Sequence, residues 1–228
     1  MKTHSKRLEQ GFTLIELLVV ITIIAILASA AVPTFNSVQD KANQASTAGN
    51  AKQIIAALRL YAGDNNGSYP DSDKAEEPSS SNKAFALLIK ADILNDERIF
   101  GAKSSKYFPD NNVGEAPEYA EALEPGENHW AMTKDLTDSS ASVTPVVFEN
   151  PVSAEWPPKW NADAAGKKEK GRAWRGGKII VGFNDSSVQT IPLEAAKGES
   201  VGPKDLGTGS KNYFTQAGDS LEMLDIEE

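Results

Sequence analysis

QGFTLIELLVVITIIAILASAAVP, residues 10–33, is an apolar run of membrane length with a carboxylate inside it. Residues 12–32 carry no charge except Glu16. As a helix rising 1.5 Å per residue, this run extends about 31 Å, the thickness of a bilayer's hydrocarbon core. A carboxylate in hydrocarbon is costly, so one that persists there marks a function. Lys2, Lys6 and Arg7 precede the run, a bias that holds the short tail on the cytoplasmic side and sends the rest of the chain outward. A plain single-pass anchor accounts for the length and the flanking charge. A secretory signal accounts for Ala28-Ser29-Ala30 as a cleavage site, although the run is longer than an ordinary signal core and is interrupted by Glu16.

A third reading gives every residue a task. A basic leader ends at Gly11, and Phe12-Thr13-Leu14-Ile15-Glu16 opens the apolar helix. The segment 7–35 resembles the prepilin-type cleavage and methylation segment of type IV pilins and type II secretion pseudopilins. The resemblance implies that a prepilin peptidase cuts after Gly11 and N-methylates Phe12. It also implies that Glu16 is the assembly glutamate and Pro33 the helix-bending proline. In lipid, the new ammonium at Phe12 and the carboxylate of Glu16 are each costly alone, and each can pair with a neighbouring helix. Positions 12 and 16 are i and i+4, expected on one helical face. The bland alternative for Glu16 is a charge that snorkels to the interface.

Helix-compatible sequence continues beyond Pro33. Phe35, Val38, Ala42, Ala45, Ala48, Ala51, Ile55, Leu58 and Ala62 recur at nearly helical spacing. A helix over about 13–63 is expected, kinked at Pro33 and packing its second half on the rest of the chain. Gly63-Asp64-Asn65-Asn66-Gly67 should stop it. The stretch LRLYAGDNNGSYPD, residues 58–71, is similar to the end of the long helix in the major pseudopilin of type II secretion.

The remainder is polar and acidic within a chain of 228 residues and net charge −9. Such a balance argues against general nucleic-acid binding. There is no cysteine and there are two histidines, which removes disulfides, thiolate chemistry and a His-rich metal centre. Residues 71–82 read as a low-complexity loop, and residues 83–89 as a short helix capped by Ser81 or Asn82. Strands are expected at 129–136 and 143–149, with a hairpin of 178–183 and 188–193 around Asn184-Asp185-Ser186-Ser187. These elements predict an α+β, pilin-like fold with a long N-terminal helix, its first half transmembrane, on a small antiparallel sheet. The expected divisions are a leader at 1–11, a transmembrane and filament-core helix at 12–33, its amphipathic half at 34–63, and a globular α+β domain at 64–228.

No P-loop, nucleophile elbow, dinucleotide fingerprint or H-E-x-x-H occurs, so no enzyme is expected. His129 beside Trp130 reads as a packed edge residue. KKEKGRAWRGGK, residues 167–178, reads first as a solvated loop, then as a contact for the acidic tail 222–228, and lastly as a single-stranded DNA platform through Arg172, Trp174 and Arg175. No cofactor is expected, with calcium the one alternative left open, unsupported by a mappable motif. The resembling family's calcium site does not map onto this sequence, and Asp64-Asn65-Asn66-Gly67 and Asp110-Asn111-Asn112 lack EF-hand spacing.

The resemblance implies a filament subunit of a type II secretion pseudopilus or a type IV pilus. Its expected partners are prepilin peptidase, further pilin-like subunits, the inner membrane and a secretion or pilus assembly platform. The implied location is the inner membrane with a periplasmic C-terminal domain, then an extracytoplasmic filament. A tethered extracytoplasmic binding protein that never polymerises and a DNA-uptake pilin remain the alternatives.

Overall fold

In a computed structural model, the structure describes residues 12–71, 78–103, 105–207 and 209–228, without the side chains of 30–34. Two compact units, Met1–Lys41 and Ala42–Glu228, divide the chain. Helix α1, Leu14–Asp64, is a single element of 51 residues. It ends as expected: Asn66 and Gly67 take left-handed backbone, at φ 55° and 82°. The Gly67 amide donates back to Ala62 O at 2.8 Å, satisfying a terminal carbonyl.

The apolar stripe departs from the sequence expectation. Ala51, Ile54, Ile55, Leu58 and Ala62 are buried, whereas Phe35, Val38, Ala42 and Ala45 are exposed. The core in the second unit therefore begins near Thr47. Spacing alone cannot distinguish an apolar position that is covered from one that is bare.

Helix α2 runs Ser81–Lys90, and Ser80 caps it by accepting from the Lys83 amide. Ser81 and Asn82, the expected caps, lie inside the helix and are buried. Asn82 instead donates to Leu123 O and Glu124 O, each at 3.1 Å. Of the expected loop 71–82, residues 72–77 lie outside the described residues.

Four strands match the expectation within a few residues: β1 Trp130–Thr133, β2 Pro145–Glu149, β3 Lys178–Phe183 and β4 Val188–Pro192. Near the C-terminus, β5 Met223–Leu224 adds a fifth, and all pairs are antiparallel in the order β4-β3-β2-β1-β5. Two residues are too few to show a period, so β5 was not expected. The turn between β3 and β4 is the expected Asn184–Ser187 segment: Ser186 adopts φ 68° and the Phe183 amide bonds Ser187 O at 2.9 Å.

Both faces of the sheet are covered. Trp130, Met132, Val147 and Ile180 join α1 and α2 in one core. Ala131, Phe148, Ile179 and Val181 join Trp160, Leu193 and Phe214 of helix α3, Tyr213–Ala217, in another. The unbroken apolar runs of β2 and β3 are the signature of strands buried on both sides.

Gly182 sets how closely α1 lies on β3, because a Cβ there would fall 2.2 Å from Ile55 Cδ1. Gly182→Ala should cost about 1–3 kcal/mol of unfolding free energy by overpacking. Adding Ile55→Val, which removes that methyl, should recover most of the loss in denaturant titrations.

Asp71 is fully buried. Its Oδ2 accepts from the Asp135 amide, and burial raises its pKa to about 6. A carboxyl raised in the folded state binds its proton more tightly there. Folding is therefore favoured as pH falls through 6 and penalised above it. The stability of Asp71→Asn relative to the native chain should rise by roughly 2–3 kcal/mol between pH 4 and pH 8, read from denaturant titrations at each pH.

Candidate functional site

Two features carry chemistry: the start of α1 and a buried charge network in the second unit. At the first, Gly11 lies outside the described residues. Phe12 is exposed and precedes the helix, which begins at Leu14. The expected i, i+4 relation of Phe12 and Glu16 on one helical face therefore fails, because Phe12 is not helical. Glu16 instead bonds Thr13. The Thr13 amide and hydroxyl donate to Glu16 Oε2 at 2.9 and 2.8 Å, and the Glu16 amide donates to Thr13 Oγ1 at 3.2 Å.

This reciprocal pair is a capping box, with threonine at the cap and glutamate three residues on. The string Thr13-Leu14-Ile15-Glu16 carries this signal, a capping threonine with glutamate three residues on. Pro33 lies within α1, with its side chain outside the described residues. Among the described residues, no helix is long and apolar enough to cross a membrane. Large apolar side chains along the first half of α1, including Leu14, Ile15, Ile24 and Leu27, are exposed.

In the second unit, Glu149 is fully buried at the end of β2. Its Oε1 accepts from His129 Nε2 at 3.0 Å. Its Oε2 accepts from Trp174 Nε1 at 2.9 Å and the Ile180 amide at 2.8 Å. Arg172, also buried, brings Nη2 to 3.7 Å from Oε1 and stacks its guanidinium 4.3 Å from the centre of the Trp174 ring. Burial lowers the pKa of His129, so the imidazole is neutral. Its Nε2–H then faces Glu149, and Nδ1 accepts from Ser105 Oγ at 2.9 Å and Asn150 Nδ2 at 3.0 Å. The charge balance is between Glu149 and Arg172. With both ring nitrogens engaged in a closed core, His129 is a structural residue and offers no base to a substrate.

The basic stretch 167–178 divides accordingly. Arg172 and Trp174 are buried, so they form no stacking platform for bases. Lys167, Lys168 and Arg175 are exposed. Lys170 meets the acidic tail as the second reading held, at 2.9 Å from Asp225 and 3.4 Å from Glu228.

Residues 6–32 match the family model of the prokaryotic N-terminal methylation motif. The chain is 42% identical over 72 residues to the type II secretion system core protein G of Pseudomonas aeruginosa, covering 32% of this chain and 50% of that relative. It is 36% identical over 94 residues to the core protein G of Pectobacterium carotovorum, covering 41% and 54%. To the type IV narrow pilus major component of Thermus thermophilus it is 50% identical over 51 residues, covering 22% and 44%. The chain thus spans about half the length of the curated relatives it matches. No solved structure matches it. Over the N-terminal segment they cover, these findings fit the pilin and pseudopilin family.

Arg172→Met should cost about 3–5 kcal/mol of stability, because Glu149 keeps its buried charge without a cation. Lys170→Ala, at a partly exposed pair, should cost under ~1 kcal/mol. Chemical denaturation of the two variants compares them directly.

Proposed function

We propose that this chain, whose N-terminal region fits the pilin and pseudopilin family, is a structural subunit of a pilus-like filament of the type II secretion or type IV pilus class. The observation that carries this reading is a methylation motif at 6–32 running directly into a helix that continues to Asp64. Residues 12–32, uncharged except for Glu16, anchor the subunit in the inner membrane as a single pass before assembly. The unit 42–228 then lies on the periplasmic side and, after assembly, outside the filament core. Prepilin peptidase cuts between Gly11 and Phe12 and methylates the new amine. An assembly platform extracts the subunit into contact with further pilin-like subunits. Pro33 bends the helix where it leaves the membrane segment.

Glu16 has two tasks on this reading. Through Oε2 it caps its own helix at Thr13. Through Oε1 it takes the Phe12 ammonium of a neighbouring subunit, which sets the axial register. Two helices that lose the bilayer around them retain this one ionic contact to fix their offset, since lateral apolar packing alone tolerates slippage.

Intact mass of the mature protein should begin at Phe12 and carry one added methyl group. A mature chain beginning at Ala31 would establish a secretory signal and end the filament reading. The two tasks of Glu16 separate by substitution. Glu16→Gln retains a capping acceptor and removes the charge. Thr13→Ala weakens the cap by about 1 kcal/mol and keeps the charge. Cleavage should persist in both variants. Filament yield should collapse for Glu16→Gln and hold for Thr13→Ala. Normal filaments from Glu16→Gln would show that the carboxylate acts only as a cap.

A further inference from the structure

A groove of about 520 Å³ runs along helix α2. Lys83, Ala86, Leu87 and Lys90 lie three and four residues apart, so one face of α2 forms its first wall. Tyr119 and Leu123 form the second. Both hold left-handed backbone, at φ 42° and 53°. Bulky residues take that conformation at a cost and keep it where the surroundings over-determine it, as they do at binding walls. Here buried side chains impose it. Asn82 donates to the Leu123 carbonyl, and Glu97 accepts from the Leu123 amide at 3.3 Å.

The two ends of the groove differ in charge. At the start of α2, Glu227 pairs with Lys83 at 3.3 Å, and the side chain of Glu124, whose carbonyl accepts from Asn82, is exposed. At the end of α2, Lys90 is exposed and makes no ion pair among the described residues. Between the ends, Ala86, Leu87 and Leu123 supply apolar surface. The groove therefore suits a short segment with one apolar side chain, an acid toward Lys90 and a base toward Glu124. The chain carries such a segment. The Lys204 amide donates to Pro192 O at 2.9 Å, which fixes this segment beside β4. Lys204, Asp205, Leu206 and Gly207 are exposed, Leu206 by 47%. A Cβ on Gly207 would meet nothing within 4 Å, and Asp205 has no ion pair among the described residues.

We propose that the knob Lys204–Gly207 of one copy of this chain docks in the α2 groove of the next. Leu206 covers Ala86 and Leu87, Asp205 meets Lys90, and Lys204 turns toward Glu124. Knob and groove lie at opposite borders of the sheet. The knob is fixed to β4, whereas Glu227, which lines the groove, follows β5, and β4 and β5 are the two outermost strands. Four strand spacings of ~4.8 Å separate them by about 19 Å, so one subunit does not fill its own groove. The contact joins two different patches, and each docked pair leaves one knob and one groove free. Such a heterologous contact propagates into an open helix or a ring and does not stop at a dimer. It rests on the filament reading for its setting, and it gives the unit 42–228 a lateral contact independent of Glu16.

The test uses the full chain, which has no native cysteine, in membranes of cells that produce it. Lys90→Cys combined with Asp205→Cys, treated with a short bis-maleimide, should give a ladder of dimers, trimers and higher multimers. Neither single variant should cross-link, and adding Leu206→Ser to the pair should abolish the ladder. Lys90→Glu and Asp205→Lys should each lower filament yield at least ~10-fold, since like charges then face each other, and the two together should restore most of it. Both positions are exposed, so Tm should stay within ~2 °C of the native chain in every charge variant. The proposal is overturned by absence of a ladder from the double-cysteine chain, by a cross-link from either single variant, by a ladder that survives Leu206→Ser, or by a swapped pair that fails to restore yield. Native filaments without a ladder leave the filament reading standing; a ladder without filaments upholds the contact and counts against that reading.

Discussion

A single carboxylate without solvent exposure organises the second unit. Glu149 closes β2, yet its oxygens reach His129 ahead of β1, Trp174 in the segment before β3, and the Ile180 amide inside β3. Its own backbone carbonyl accepts from Trp160 Nε1 at 3.0 Å. These bonds tie the loop segments ahead of β1 and β3 to the end of the central strand β2, whose ladder partners are β1 and β3. The cost of taking the carboxylate out of water is met by Arg172 together with these donors. The same arrangement removes Arg172 and Trp174 from the surface, which decides what the basic stretch can do. Composition gave that stretch a charge, and burial took half of its chemistry away.

Sequence legibility followed the range of the interactions. The helix stop at Asn66-Gly67 and the turn after Phe183 were legible because each is specified by a few adjacent residues. The apolar runs PVVFE and KIIVGF announced strands for the same reason. The second layer over the sheet, built from Trp160, Leu193 and Phe214, draws on scattered loop positions with no period to detect. The exposed Phe35 and Val38 failed in the opposite direction, since a helical stripe records what can be covered and not what is. At the candidate site, Glu16 was legible as anomalous, but its nearest partner was missed because Thr13 was read as part of a motif and not as a cap.

If Glu16 serves assembly as proposed, the capping box adds a second demand on the same carboxylate. A helix start carries four amides without intrahelical partners, and in a poorly hydrated setting each needs one. Thr13 and Glu16 supply partners for two amides here, their own, locally and reciprocally. A carboxylate held by its own helix has fewer positions to explore, so on the proposed reading a neighbour's cation would meet it already oriented. Rigidity at this point favours a defined offset between subunits over a merely sticky contact.

The pairing of β5 with β1 has a consequence in time. Met223 and Leu224 complete the edge beside β1. Close by, Glu227 accepts from Ser80 Oγ across 147 residues of sequence. A ribosome delivers β1 and α2 long before these partners. Until residues 223–228 emerge, one margin of the sheet presents bare amides and carbonyls, the template on which foreign strands add. Contacts of such separation also form slowly, because a long loop must close before it is rewarded. The nascent unit therefore passes through an interval in which most of its sheet can be built while its border is open. Any factor that shields that border acts during this interval and has nothing left to hold once the tail has docked.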